Sequence, residues 1–407
     1  MRILSTVSLL MSLALLGACS STDTKEDVDL GPSSLTDYDE EIRLSTEWRH
    51  QVGKGLGNAY ARLQPAIKKD VVYAADAYGL VKALKLSSGF TLWKNQFDVE
   101  ITAAVTVGDK LGYIATSNGE LIAFDLTNGD EAWRTNVKSE VIALPSYRSG
   151  QLAAQTIDGH LYLLDGASGA IKWRYDSNLP SLSLRGTSEP LFHGPMVIAG
   201  FANGKVVGVN ASDGSVLWQE RIGIPAGRSE LERLVDIDGR LLVEDDLLYV
   251  VGYQGHIAAI DLRGGKMVWK QEASSYHGPL AGLGNLYVVN DKDHVVALDD
   301  RSASDVWQQV SLQGRQLSEP VMFAKHIAVA DYQGYLHLIK QLDGTLVGRD
   351  RLVRPPVDRV KTGSYDLKHP SREFSKDPGI RTRLLASDEY LIAISNSGYI
   401  TAYTVDQ

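Results

Sequence analysis

Cysteine is almost missing from this sequence. Cys19 stands alone, so an intrachain disulfide, a Cys-based metal site and a redox pair are all excluded. A basic excess is missing as well. The formal net charge of −9 supplies no footprint for neutralising phosphates, which argues against nucleic acid as a partner. The apolar run from Val7 to Leu16 is too short for a membrane span. HExxH, GxSxG, P-loop and EF-hand patterns are absent. The glycines of GKGLG, residues 53–57, follow a strand-like stretch but open no helical pattern, so they make a weak dinucleotide site. His160, His256 and His294 recur at one repeat position and do not form a metal constellation. No catalytic, cofactor-binding or metal-binding residue is therefore assigned, and the chain is read as not an enzyme.

What is present starts with Arg2, the apolar run and then small residues, the layout of a secretory signal peptide. Leu16-Gly17-Ala18-Cys19 resembles a bacterial lipobox. That resemblance implies removal of residues 1–18, lipidation of Cys19 and anchoring in membrane lipid. Ser20 rather than Asp follows it, which by analogy with enterobacterial sorting implies the outer membrane, periplasmic side. Residues 19–40 are acidic and rich in Ser and Thr. They bury too little apolar surface to offset ordering and are expected to form a flexible tether. Residues 41–407 are left for the fold.

The fold is written in a repeat. In GELIAFDLTNGDEAW, residues 119–133, Gly119 leads Trp133 by a fixed interval. The same interval separates Gly79 from Trp93, Gly159 from Trp173, Gly204 from Trp218 and Gly255 from Trp269. Asp293/Trp307 and Gly334/Gly348 keep the frame with one substitution each. A second glycine usually stands ten residues into each copy, as Gly129 does, and Asp or Asn often stands at the sixth position, as Asp125 does. The steps from Gly79 to Gly398 average about 46 residues, a period typical of solenoids and propellers. Trp48 has no leading half and Gly398 has no Trp. The two half-units complement each other, which favours a closed ring of eight units.

Each position has a physical reason. The first glycine turns the chain with positive φ. The apolar run after it suits a strand buried on both faces. Asp at the sixth position caps the turn, and the second glycine supplies its left-handed residue. The Trp lies on the outer strand and is expected to wedge between units, as Trp48, Trp93, Trp133, Trp173, Trp218, Trp269 and Trp307 all would. The residue after it is long and polar, such as Arg134 or Lys94, and would discourage edge-to-edge pairing. Two further strand-like runs precede each leading glycine, making four strands per unit. The expected fold is all-β: an eight-bladed β-propeller of four-stranded antiparallel blades, closed where the Trp48 strand completes the C-terminal blade.

The repeat resembles the Trp-containing blade of quinoprotein dehydrogenases, which pair a quinone with calcium and typically carry a disulfide between adjacent cysteines. The chain has no Cys pair. A quinone-dependent dehydrogenase-like propeller and a cell-wall or glycan-binding propeller remain the alternatives. The lipobox, the acidic tether and the propeller without that chemistry together resemble the BamB family, lipoprotein subunits of the outer-membrane β-barrel assembly (BAM) machine. Two segments carry the most specific likeness: NLPSLSLRGTSEP, residues 178–190, and ELERLVDIDG, residues 230–239. The resemblance implies a scaffold that docks on the periplasmic POTRA domains of the central barrel subunit, BamA, and assists folding and insertion of unfolded outer-membrane proteins. Leu182, Leu184, Arg185, Asp236 and Asp238 match the family's contact positions.

Read from the residues alone, these loops are less specific. They lie in the Trp173–Gly204 and Trp218–Gly255 connections, which span 31 and 37 residues against a minimum of 24, and binding residues concentrate on such loops. Leu182 and Leu184 share one face and fit either partner anchors or the start of an inner strand; Asp236 and Asp238 fit either contacts or turns. A charged, Pro-containing insertion at about 349–380 is expected to extend over one face.

Overall fold

A computed structural model describes residues 32–57, 61–180, 182, 186–225, 228–229, 232–352 and 378–406. Cys19, the signal segment and most of the charged insertion lie outside these residues. Among them every regular element is a β-strand. The strands form eight antiparallel sheets arranged as blades I to VIII of a ring. Blade II is representative, with strands Ile101–Val107, Leu111–Thr116, Glu120–Asp125 and Glu131–Asn136. Its third strand is buried between the neighbouring sheets, whereas its fourth alternates between exposed and half-buried. A continuous apolar run therefore makes the third strand and an alternating one makes the outer edge.

The turn between these two strands follows from its residues. Asp125 Oδ1 accepts from Thr127 N at 2.7 Å, and Gly129 N donates to Asp125 O at 2.8 Å. Gly129 has φ +82°, where a Cβ is strained. It has a second duty that spacing alone did not reveal. A Cβ on Gly129 would stand 2.5 Å from the ring of Trp93 in blade I. In blades I to V and VII the turn glycine is thus the seat for the preceding blade's indole. The indole N–H then bonds a carbonyl of that next blade: Trp93 to Leu126 O, Trp133 to Gly166 O, Trp173 to Ala211 O and Trp269 to Asp300 O at 3.0 Å, Trp307 to Gln341 O at 2.9 Å, and Trp48 to Leu86 O at 2.7 Å. Trp218 differs. Its ring lies over Gly265 of blade V, but its N–H points to Met196 Sδ of its own blade at 3.3 Å.

The core is consequently divided into clusters between adjacent blades. Tyr113, Leu121, Leu152 and Leu164 fill the space between blades II and III. The ring closes through Arg43–Gln51, which pairs antiparallel with Tyr399–Asp406 and sets Trp48 opposite Ala402. Each of blades I and III to VIII has four strands; blade II gains a fifth, Arg62–Leu63, parallel to Ala103–Ala104 on its inner edge.

Two expectations are adjusted. The expected tether runs to residue 40, but Ser33 to Glu41 are bonded to the propeller. Ser33 N donates to Gln313 O at 2.9 Å, Arg315 Nη1 to Ser33 O at 2.8 Å and Arg349 Nη2 to Thr36 O at 2.7 Å. The Arg349 guanidinium lies 4.8 Å from the Tyr38 ring centroid, and Glu41 pairs with Lys340 at 2.6 Å. A polar composition does not prevent docking when backbone groups and one aromatic find partners on the domain. The insertion also begins later than residue 349, because the outer strand of blade VII runs Leu346–Arg351.

Candidate docking face

The two segments singled out by sequence lie in successive connections, from blade III to IV and from blade IV to V. Asn203 Nδ2 holds the first by donating to Asn178 O at 2.8 Å and Ser177 Oγ at 3.1 Å. In the second, Ser229 Oγ accepts from Glu232 N at 3.2 Å while Glu232 Oε2 accepts from Arg228 N at 2.6 Å, closing a turn. Between the loops is a hollow of about 260 Å³, bordered by Leu179, Pro180 and Leu182 on one side and by Arg233, Leu234 and Val235 on the other. Leu182 is 42% exposed. A large apolar side chain at the edge of a recess suits an anchor for a partner. Leu184 and Arg185 lie outside the described residues.

Asp236 and Asp238 are placed differently from exposed contacts: both are buried. Asp236 forms an isolated bridge with Tyr253, whose N–H donates to Asp236 O at 2.8 Å. Its Oδ1 accepts from Ile237 N at 2.8 Å, and its carboxyl hydrogen-bonds that of Asp238. Burial, reinforced by the Asp238 carboxylate, pushes Asp236 up to about 10. Burial also raises Asp238, opposed by the charge of Arg62. A close carboxyl pair in a dry site shares a proton for this reason. The backbone of the first loop rests on this pair, since a Cβ on Gly186 would stand 1.7 Å from Asp238 Oδ1.

A second polar group was not anticipated. Glu319 Oε1 accepts from Arg240 Nε at 3.1 Å and Arg383 Nη1 at 3.0 Å, and its Oε2 accepts from Gly278 N at 3.3 Å. Arg383 also lies 3.8 Å from Glu189. These residues precede the inner strands of blades IV to VIII, and three of them border a hollow of about 350 Å³ along the inner strands. Burial opposes ionisation of Glu319, but Arg383 and Arg240 outweigh it and hold the carboxyl down to about 2. Nearby His277 is half-buried, and desolvation pushes it down to about 4 despite Glu319. The available signal was the repeated Ser-Glu-Pro at residues 188–190 and 318–320, which recurs in only two blades. Among the described residues no cluster of three or more His, Cys, Asp or Glu is arranged to hold a metal ion.

These elements define the chain as an eight-bladed β-propeller with an apolar-edged hollow between two adjacent inter-blade loops. The profile of the family described as outer membrane protein assembly factor BamB matches residues 77–309. The Pseudomonas aeruginosa protein of that description is 41% identical, over 98% of this chain and 97% of that protein. The one from Escherichia coli K12 is 34% identical, over 84% and 90%. The crystal structure of BamB from Moraxella catarrhalis superposes with TM-score 0.77 at 25% identity, covering 89% of this chain and 99% of that one. The chain belongs to the BamB family of outer membrane protein assembly factors. A europium-containing methanol dehydrogenase also superposes, with TM-score 0.68 at 11% identity over 89% of this chain and 93% of that one. That likeness concerns the fold alone.

Proposed function

We propose that this protein is a non-catalytic scaffold of the outer-membrane protein assembly complex. It docks on the periplasmic POTRA region of the central barrel subunit, BamA, and assists folding and insertion of β-barrel proteins. Cys19 carries the lipid that holds it at the periplasmic side of the outer membrane, and unfolded outer-membrane proteins are its transient substrates. Membership of the BamB family supports the assembly role. One observation carries the docking site: the two family-like loops meet across a single hollow with Leu182 exposed at its edge. Leu182, Leu184 and Arg185 supply the contact on this reading. The buried Asp236 and Asp238 act through the loop conformation they hold.

The test is co-purification of the full-length protein with the periplasmic region of BamA. Leu182→Ala, and Leu184→Ala combined with Arg185→Ala, are expected to weaken capture by tenfold or more, as loss of hot-spot anchors does. Capture equal to wild type by both variants would refute the site.

A further inference from the structure

One residue outside both loops touches each of them. Arg62 opens the two-residue strand that adds to the inner edge of blade II. Its neighbour Leu63 is 1% exposed and packs with Ala104 and Ile114, which fixes the strand. From there the guanidinium reaches blades IV and V. Nη1 donates to Asp238 O at 3.0 Å and, more weakly, to Thr187 O at 3.4 Å. Thr187 belongs to the first loop and Asp238 to the second. Both residues are buried, so their carbonyls have little access to water and the donor is costly to lose. One nitrogen with two hydrogens thus sets the spacing between the loops. The contact of Gly186 with the Asp238 carboxylate holds the same junction from the other side.

We propose that Arg62 is a positioning residue of the docking face: by bonding Thr187 and Asp238 together it holds the first loop, which carries Leu182, against the second. The inference rests on the docking reading above. A preformed pair of loops spares the partner the ordering cost at binding. The cation also lies beside the Asp236–Asp238 pair and offsets part of the cost of burying negative charge there.

The experiment titrates the purified periplasmic region of BamA against wild type, Arg62→Met, Arg62→Lys and Leu182→Ala, with hydrogen exchange of each free protein. Arg62→Met keeps the apolar stem and removes both hydrogen bonds. It is expected to weaken binding about tenfold or more and to speed exchange at residues 186–190 and 236–239, while blade amides keep their protection. Arg62→Lys, which retains a donor, is expected to fall between. Wild-type binding by Arg62→Met, while Leu182→Ala binds weakly, would overturn the proposal and leave the docking site standing. Wild-type binding by all variants would overturn both. If Arg62→Met and Arg62→Lys lose binding only in step with melting temperature and blade protection, Arg62 is merely structural and the proposal fails.

Discussion

Trp133 of blade II lies directly over Gly169 of blade III, where a Cβ would stand 2.5 Å from the indole. Its N–H donates to Gly166 O of that same blade at 3.0 Å. The ring therefore fills the seam between blades and satisfies a carbonyl at once. Trp133→Ala removes both and is expected to cost about 3–5 kcal/mol, the range for large aromatics. Gly169→Ala attacks the same seam from the opposite side. At φ +73° the new methyl is strained and displaces the indole, at a cost of at least about 2 kcal/mol. Denaturant midpoints measure both. Stability within about 0.5 kcal/mol of wild type would show that the seam does not depend on this pair.

The segment 33–41, a strap along blade VII, gives a prediction separable from global stability. Arg349→Ala removes the bond to Thr36 O and the stacking on Tyr38. Limited proteolysis is expected to cut between residues 33 and 41 several times faster, with the melting temperature lowered by no more than about 2 °C, because the contacts are peripheral. Unchanged cleavage would mean that Arg349 does not retain the strap.

The Asp236–Asp238 pair makes stability fall as pH rises. Burial and the Asp238 charge raise Asp236 to about 10, so the folded protein holds a proton that the unfolded chain releases near pH 4. The stabilisation from this group is complete below the unfolded value and is lost progressively towards the folded one. Asp236→Asn mimics the protonated form and lacks this slope. The melting temperature of the variant minus that of wild type should grow more positive from pH 5 to pH 9; a constant difference would contradict the shared proton.

Glu319 has the opposite sign. Arg383 and Arg240 hold its carboxyl down to about 2 despite burial, so its stabilisation is present above the unfolded value of about 4.3 and is lost as pH falls towards 2. Glu319→Gln should flatten this acid loss. At pH 7 it should cost about 3–5 kcal/mol, because Arg383 and Arg240 lose their shared partner. Thermal melts at pH 3, 5 and 7 distinguish the outcomes, and a wild-type acid profile in the variant would assign the loss to other carboxyls.

The blade was legible because a propeller repeats its local physics. Gly119, Asp125, Gly129 and Trp133 each answer a requirement of one hairpin, and a fixed interval exposes them. Ring closure was legible too, since Trp48 and Gly398 are complementary halves. The clamp by Arg62 was not. Thr187 and Asp238 are far from it in sequence, and no spacing rule joins residues from three blades. Arg240, Glu319 and Arg383 were missed for a related reason: they gather just ahead of the inner strands, where each blade contributes a different group and the period disappears. The docking of residues 33–41 leaves no sign in composition, which measures only what a segment can bury alone.

Sequence by itself determined the number of blades, the strand order within each and the residues that seal one blade to the next, because those depend on contacts that recur at a constant interval. Tertiary structure decided what gathers near the axis. It buried Asp236 and Asp238, which the residues alone leave open as contacts or turns, and it joined the two family-like loops through Arg62. Closing the ring brings distant, non-repeating residues together, where a buried unpaired charge or carbonyl is costly, and that requirement leaves no periodic trace in the chain.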